Sequence, residues 1–288
     1  MDSMAISCVR NTKDSANLCR FSPKRICSVR TPIIGGNWKM NLNAGDGADL
    51  AESIAEGLAR GPLGAEVVMF PAFPYLALIA DVVESAPPML GAQDAHHKAS
   101  GAFTGEVSLP MLEDCGVEWV LVGHSERRHV IGESNDTVRE KLHAALKAGF
   151  SVILCTGERQ NDRAAGQHLE VNRAQLAHAL EGLPASALSR LVVAYEPVWA
   201  IGTGLTATPE DAQEVHADLR AALAEHYDQS VADAVRIQYG GSVKPANAAE
   251  LFAKPDVDGF LVGGASLKSA DFLDIINAVT AAKAEGQA

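Results

Sequence analysis

The sequence predicts an α/β protein: a single-domain (β/α)8 barrel, eight parallel strands closed into a barrel and wrapped by helices. Three observations predict it. From residue 31 onward, eight short apolar runs rich in β-branched and aromatic residues recur roughly 20–45 residues apart, the interval of strand–helix units. The runs are continuously apolar rather than alternating, which demands helices over the sheet and therefore parallel strands. No linker or composition shift divides residues 31–288, and a chain of 288 residues that is 47% hydrophobic suffices for one large core. A doubly wound open sheet is the competing topology, and the count of eight units favours closure.

Taken in order, the predicted strands lie in IIGGNWKMN (33–41), EVVMFPA (66–72), MLGAQD (89–94), WVLVGHSE (119–126), SVILCTGE (151–158), LVVAYEP (191–197), RIQYGGS (236–242) and GFLVGGAS (259–266). Helical spacing fills the intervals. Leu50, Ile54 and Leu58 lie four apart in a helix over 48–58, and Leu76, Ile79 and Val83 follow Pro74. Leu142 and Leu146 share a face before Gly149, as do Leu169, Leu176 and Leu180. Thr208-Pro209-Glu210-Asp211 supplies an N-cap, a first-turn proline and first-turn acids, and Val215, Leu219 and Leu223 continue that helix. Phe272, Ile275, Ile276 and Val279 line the last one.

Residues 1–30 differ from the rest. Six Lys/Arg against two Asp give them a net charge of +4, so the remaining 258 residues carry −16 within a total of −12. Five serines lie among the basic residues. Such a leader suits a disordered tail or an upstream start, with an organelle transit peptide as the alternative, so it is set apart from the fold. Cytoplasm is the expected compartment, with an organelle as the alternative. The acidic balance argues against nucleic acid, and no apolar stretch is long enough to span a membrane. The five cysteines show neither a disulfide framework nor zinc-ligand spacing.

In a barrel of this kind chemistry sits where strands end. The first strand delivers Asn37 and Lys39, the third Gln93 and Asp94, the fourth His124, Ser125 and Glu126, the fifth Glu158 and the sixth Glu196. The last two end in Gly240-Gly241-Ser242 and Gly263-Gly264, loops where backbone N–H groups approach a phosphate in this fold. Glu196 is a candidate general base. Pro197 and Gly202 bracket the apolar segment 198–201, a pattern suited to a lid that excludes water from that carboxylate. Adjacent His96 and His97 are expected to be solvated, and Cys155 to be buried packing. Gly202-Thr203-Gly204-Leu205-Thr206-Ala207 fits a dinucleotide fingerprint but does not directly follow a strand, so that reading is rejected.

GGNWKMN, GAQD, GAFTGEVS, VGHSERR, YEPVWAIGTG, YGGSV and DGFLVGGASL together resemble the triosephosphate isomerase family, over residues 32 to about 280. The resemblance implies interconversion of dihydroxyacetone phosphate and D-glyceraldehyde 3-phosphate through an enediolate, a step of glycolysis and gluconeogenesis, with no metal and no cofactor. It implies Glu196 as base, His124 as neutral electrophile and Lys39 as the ammonium facing the substrate's charge. Asn37 would be a neighbouring amide donor, Glu126 the partner of Lys39, and Ser125 a holder of the base while the lid is open. Gly202, Ser242, Gly263 and Gly264 would grip the phosphate. Phe103 and Thr104 match the loop by which each family subunit enters its neighbour's site, implying a homodimer. Two departures stand out: Asp94 where many members have Asn, expected to bear on dimer contacts, and Thr156 where an aliphatic residue is commoner. An isomerase of a longer phosphosugar, or a catalytically idle phosphate-binding barrel, are the competing readings.

Overall fold

Strands form where the apolar runs fall, and each is followed by at least one helix. The computed structural model describes residues 30–61, 63–83, 87–200 and 206–287. In chain order these are β1 (Ile33–Asn37), α1 (Ala44–Leu58), β2 (Glu66–Phe70), α2 (Leu76–Val82), β3 (Met89–Ala92), α3 (Leu109–Asp114), β4 (Trp119–Val122), α4 (Asn135–Ala148) and β5 (Ser151–Thr156). They continue with α5 (Gln160–Ala164), α6 (His168–Leu180), β6 (Leu191–Tyr195), α7 (Pro209–His226), α8 (Gln229–Ala234), β7 (Arg236–Tyr239), α9 (Pro245–Phe252), β8 (Gly259–Val262) and α10 (Ser269–Gln287). All eight strands are parallel and close in sequence order, β8 returning to β1.

Alternation along each strand splits the core into two layers. Ile33, Phe70, Leu121, Ile153, Val192 and Leu261 meet inside the barrel. Ile34, Met69, Val120, Leu154, Val193 and Phe260 face the helices, where Leu50, Leu142, Leu219 and Phe272 cover them. The seam from β7 through β8 to β1 is braced from within. Buried Gln238 donates from Nε2 to the carbonyls of Ile33 (2.9 Å) and Phe260 (3.0 Å).

The expected cap of α7 is present: the Thr208 side chain accepts from the N–H of Asp211, whose carboxylate accepts from the N–H of Thr208 at 2.9 Å. Helix α1 starts four residues before the sequence reading, at Ala44, because Asn43 accepts from the N–H of Asp46 at 3.0 Å and caps it. Gly45 and Gly47, poor helix formers, obscure that start in the sequence. A second correction concerns His96 and His97. They are half-buried rather than solvated, because their rings stack at 4.5 Å and His96 packs on Phe103 at 4.2 Å. Of the leader, residues 1–29 lie outside the described residues.

Candidate active site

The carboxyl ends of the strands carry the polar residues, and each is held by backbone geometry there. Asn37, 5% exposed, closes β1 and accepts the N–H of Lys39 at 3.0 Å through Oδ1. Lys39 itself has φ +53, a left-handed backbone that costs a non-glycine residue on the order of 1 kcal/mol or more. Gln93 holds it there, its Nε2 donating to the Lys39 carbonyl at 2.8 Å and to the Phe70 carbonyl at 2.9 Å. The ammonium then reaches Glu126 Oε1 at 2.7 Å.

β4 delivers His124 and Ser125, both buried. The N–H of Glu126 donates to His124 Nδ1 at 3.2 Å, while the Glu126 carboxylate stands 3.7 Å from that nitrogen, too far for a hydrogen bond. Nδ1 is therefore an acceptor and the ring carries its proton on Nε2. Nε2 lies 3.0 Å from Glu196 Oε1.

β6 delivers Glu196, 2% exposed, with its N–H donating to the Thr156 carbonyl at 2.8 Å. Its carboxylate accepts the Ser125 N–H on Oε2 and the Ser125 hydroxyl on Oε1, both at 2.9 Å. Cys155, buried inside the barrel, touches the same carboxylate; burial and then the charge of Glu196 push its thiol well above the usual range. Gly157 must be glycine, since a Cβ there would stand 2.1 Å from the Glu196 carbonyl oxygen. Three strand ends thus converge on one carboxylate that faces a cavity of ≈ 650 Å³, also lined by Asn37, Lys39 and His124. Ser242, Gly263 and Gly264 line the same cavity, and a Cβ on Gly263 would stand 3.5 Å from Lys39 Cε. Gly202, with residues 201–205, lies outside the described residues.

Some supporting groups carry no clear sequence signal. Arg128, 9% exposed, donates from Nε to the Gly123 carbonyl (2.6 Å), from one terminal nitrogen to the Cys155 carbonyl (3.1 Å), and from the other to Asn135 (2.6 Å). It ties the ends of β4 and β5 beside His124; second in an Arg pair, it reads as a surface charge. Glu158, which the sequence does mark as the polar end of the fifth strand, is fully buried and accepts from Tyr195 Oη at 3.0 Å and Asn172 Nδ2 at 2.9 Å. Arg163 lies 3.7 Å from Glu158, pairs with Asp211, and stacks 5.0 Å over the Trp199 ring, fixing the near end of the segment expected to be a lid. Lys244 and Lys268 line the cavity as well, and were not singled out from the sequence.

Phe103 is 42% exposed on the loop after β3, and Thr104 follows it in the open. Asp94 lies behind them, 2% exposed, held by Lys141 Nζ at 2.7 and 2.8 Å and by Arg127 at 2.8 Å. Thr156 is 1% exposed and its hydroxyl has no partner among the described residues. No group of His, Cys, Asp and Glu among the described residues could hold a metal ion.

The family model for triosephosphate isomerase matches residues 32–279. A triosephosphate isomerase of Chlorobium phaeobacteroides is 49% identical over 250 residues, 87% of this chain and 99% of the relative. One of Chloroflexus aurantiacus is 51% identical over 250 residues, covering 86% and 99%. One of Chlorobaculum tepidum is 51% identical over 243 residues, covering 84% and 98%.

Proposed function

Because the chain belongs to the triosephosphate isomerase family, and so is an aldose–ketose isomerase that interconverts dihydroxyacetone phosphate and D-glyceraldehyde 3-phosphate, we propose that Glu196, His124 and Lys39 carry its chemistry. Glu196 takes the proton from the carbon beside the carbonyl and returns it to the neighbouring carbon. That proton is weakly acidic, so negative charge appearing on oxygen must be met by donors already in place. A single preorganised donor of this kind is worth roughly 2.7–4 kcal/mol in the activation barrier. His124 offers Nε2–H and Lys39 an ammonium. Asn37 orients Lys39 and adds an amide donor, and Glu126 keeps the ammonium aimed until substrate arrives.

The observation that supports this reading best is the 3.0 Å approach of His124 Nε2 to Glu196 Oε1 on the cavity that Lys39 also lines. In the arrangement described, Ser125 occupies both oxygens of Glu196. Catalysis then requires the carboxylate to leave Ser125 and swing toward the substrate carbon as the lid closes. Gly202, Ser242, Gly263 and Gly264 grip the phosphate, whose binding energy, remote from the reacting carbons, drives that closure. Replacing Glu196 by Gln while leaving substrate affinity intact tests the assignment; full turnover in the variant would remove Glu196 as the base.

The working assembly is a homodimer. Met40 (95% exposed), Val130 (81%) and Ile131 (63%) join Phe103 as exposed apolar side chains. Phe103, Thr104 and Ile131 share one surface depression, suited to burial against a second copy. A Thr104→Arg change is expected to yield monomers in size-exclusion chromatography and to lower turnover. No helix among the described residues is long and apolar enough to cross a membrane. The enzyme works in the cytoplasm, with a fluorescent fusion to residues 1–30 as the test against an organelle. The barrel from residue 31 is the catalytic unit, so a chain without residues 1–30 keeps its turnover.

A further inference from the structure

We propose that a groove at the amino end of the barrel, beside β2, β3 and the start of β4, is the docking site of the chain's own basic leader, and that residues 18–29 occupy it. The groove measures ≈ 810 Å³, more than the cavity at Glu196. Glu66 and Met89, the first residues of β2 and β3, line it with Glu118, which precedes β4, so it lies at the end of the barrel opposite the catalytic residues. Buried Ala65, Val67 and Leu90 line it too, together with Leu63, which is 40% exposed.

The groove's charges call for a cationic occupant. Four acids line it. Glu66 is matched by Arg236 at 2.6 Å. Asp81, Asp114 and Glu118 are exposed, and none of the three forms an ion pair among the described residues. Residues 18–29 read LCRFSPKRICSV. Arg20, Lys24 and Arg25 offer three cations with no acid among them, interleaved with Leu18, Phe21, Ile26 and Val29. Apolar surface bordered by unmatched acids is complementary to that mixture.

Connectivity delivers the segment to the groove. Arg30 is pinned under the barrel, Nε donating to Asp258 at 2.6 Å and one terminal nitrogen to the Asp233 carbonyl at 3.0 Å. Two residues on, the Pro32 carbonyl accepts the N–H of Glu66, itself a groove residue, at 2.8 Å. Adjacent strands lie about 5 Å apart, so β2 and β3 stand about 5 and 10 Å from that point. Twelve residues reach up to roughly 40 Å when extended. So short a tether gives a high effective concentration, and individually weak exposed ion pairs then suffice. The docked segment covers Cys115, a half-buried free thiol that lines the groove. It stays clear of Glu196, so turnover does not depend on it.

The test is the rate at which iodoacetamide, a neutral reagent, alkylates Cys115, read by peptide mass in full-length chains carrying Cys8→Ser, Cys19→Ser and Cys27→Ser. It compares the basic leader with Arg20→Glu/Lys24→Glu/Arg25→Glu, each over the native groove and over Asp81→Lys/Asp114→Lys/Glu118→Lys. Over the native groove the basic leader is expected to slow alkylation at least about fivefold, a gap that narrows toward about 0.5 M salt. Over the lysine groove the order should reverse, with kcat alike in all four chains. The field of nearby cations alone would promote the thiolate and speed the reaction, so slower alkylation under the basic leader reports cover rather than charge. Equal rates with the two leaders over the native groove, or a leader effect of the same sign over both grooves, would overturn the docking. Protection that ignores the leader and grows with protein concentration would overturn it too, and would assign the groove to a second copy.

Discussion

Two clusters of ionisable side chains lie near the carboxyl end of the barrel, and they are built on opposite lines. Around Asp94, two acids and two bases pair with one another. Lys141 Nζ reaches Asp94 at 2.7 Å and Glu133 at 2.5 Å, while Arg127 reaches Asp94 at 2.8 Å and Glu133 at 2.7 Å. Around Glu196 the partners are donors that the carboxylate can leave, a serine hydroxyl and one backbone N–H, with an imidazole nitrogen 3.0 Å away beside an open cavity. In the first cluster each carboxylate already holds two cations, although Glu133 Oε2 has no hydrogen-bond partner among the described residues. The second keeps its acid, its imidazole and its ammonium at the edge of free space, with Lys39 in a left-handed backbone conformation bonded by Gln93 and Asn37. Burial of charge does not by itself mark a reactive site here; partners that the carboxylate can exchange do.

Substitution should separate the two clusters. The largest effect expected is from Glu196→Gln, a loss of about 10²–10⁴-fold in turnover in a coupled assay, with the thermal unfolding midpoint little changed. Lys141→Met should do the reverse. Removing one member of a buried ion network leaves uncompensated charge and costs about 3–5 kcal/mol in chemical denaturation, while the folded fraction keeps its turnover. Equal effects of the two changes on turnover would erase the distinction.

Protonation sharpens it. Burial raises Asp94 from 3.8 to about 6 against the pull of Lys141 and Arg127. Its protonated form is thus favoured in the folded state. The corresponding stability is fully present below the unfolded value near 3.8 and is lost as pH rises through about 6. Glu133 goes the other way: burial would raise it, but Lys141 and Arg127 prevail and hold it below the usual carboxylate range, so its contribution is lost at acid pH. Asp94→Asn removes the first effect only. The stability of the parent relative to Asp94→Asn should therefore fall between pH 4 and 6, measured by denaturant titration at each pH. A parallel pair of curves would contradict it. The smallest effect expected is from Thr156→Val, which replaces an unpartnered buried hydroxyl with a methyl and should stabilise by about 1 kcal/mol with kcat unchanged.

Much of this was legible in the sequence because strand ends are punctuated. The runs ending in Asn37, His124 and Glu196 each stop on a polar residue after apolar ones, and parallel strands must bring such ends to one side of a barrel. Glycine pairs announce part of the cavity wall for the same reason. What stayed hidden depends on three-dimensional partners. Nothing in the sequence says that Lys39 turns left-handed, since the residue is not glycine and its support, Gln93, lies 54 residues away. Arg128 and Lys141 do not stand out in the sequence, because each has an acceptor distant in the chain, the Cys155 carbonyl for Arg128 and Asp94 for Lys141. Lys244 and Lys268 escape notice because an exposed lysine is ordinary; only their shared cavity distinguishes them.

The most direct test of the Glu196 assignment is deuterium entry from heavy water into dihydroxyacetone phosphate at equilibrium, followed by proton NMR. The parent enzyme should exchange the carbon-bound proton as it turns over, and Glu196→Gln, with Ser125, His124 and Lys39 all in place, should leave it unexchanged over the same period. Deuterium entering at the parent rate in that variant would mean that another group removes the proton.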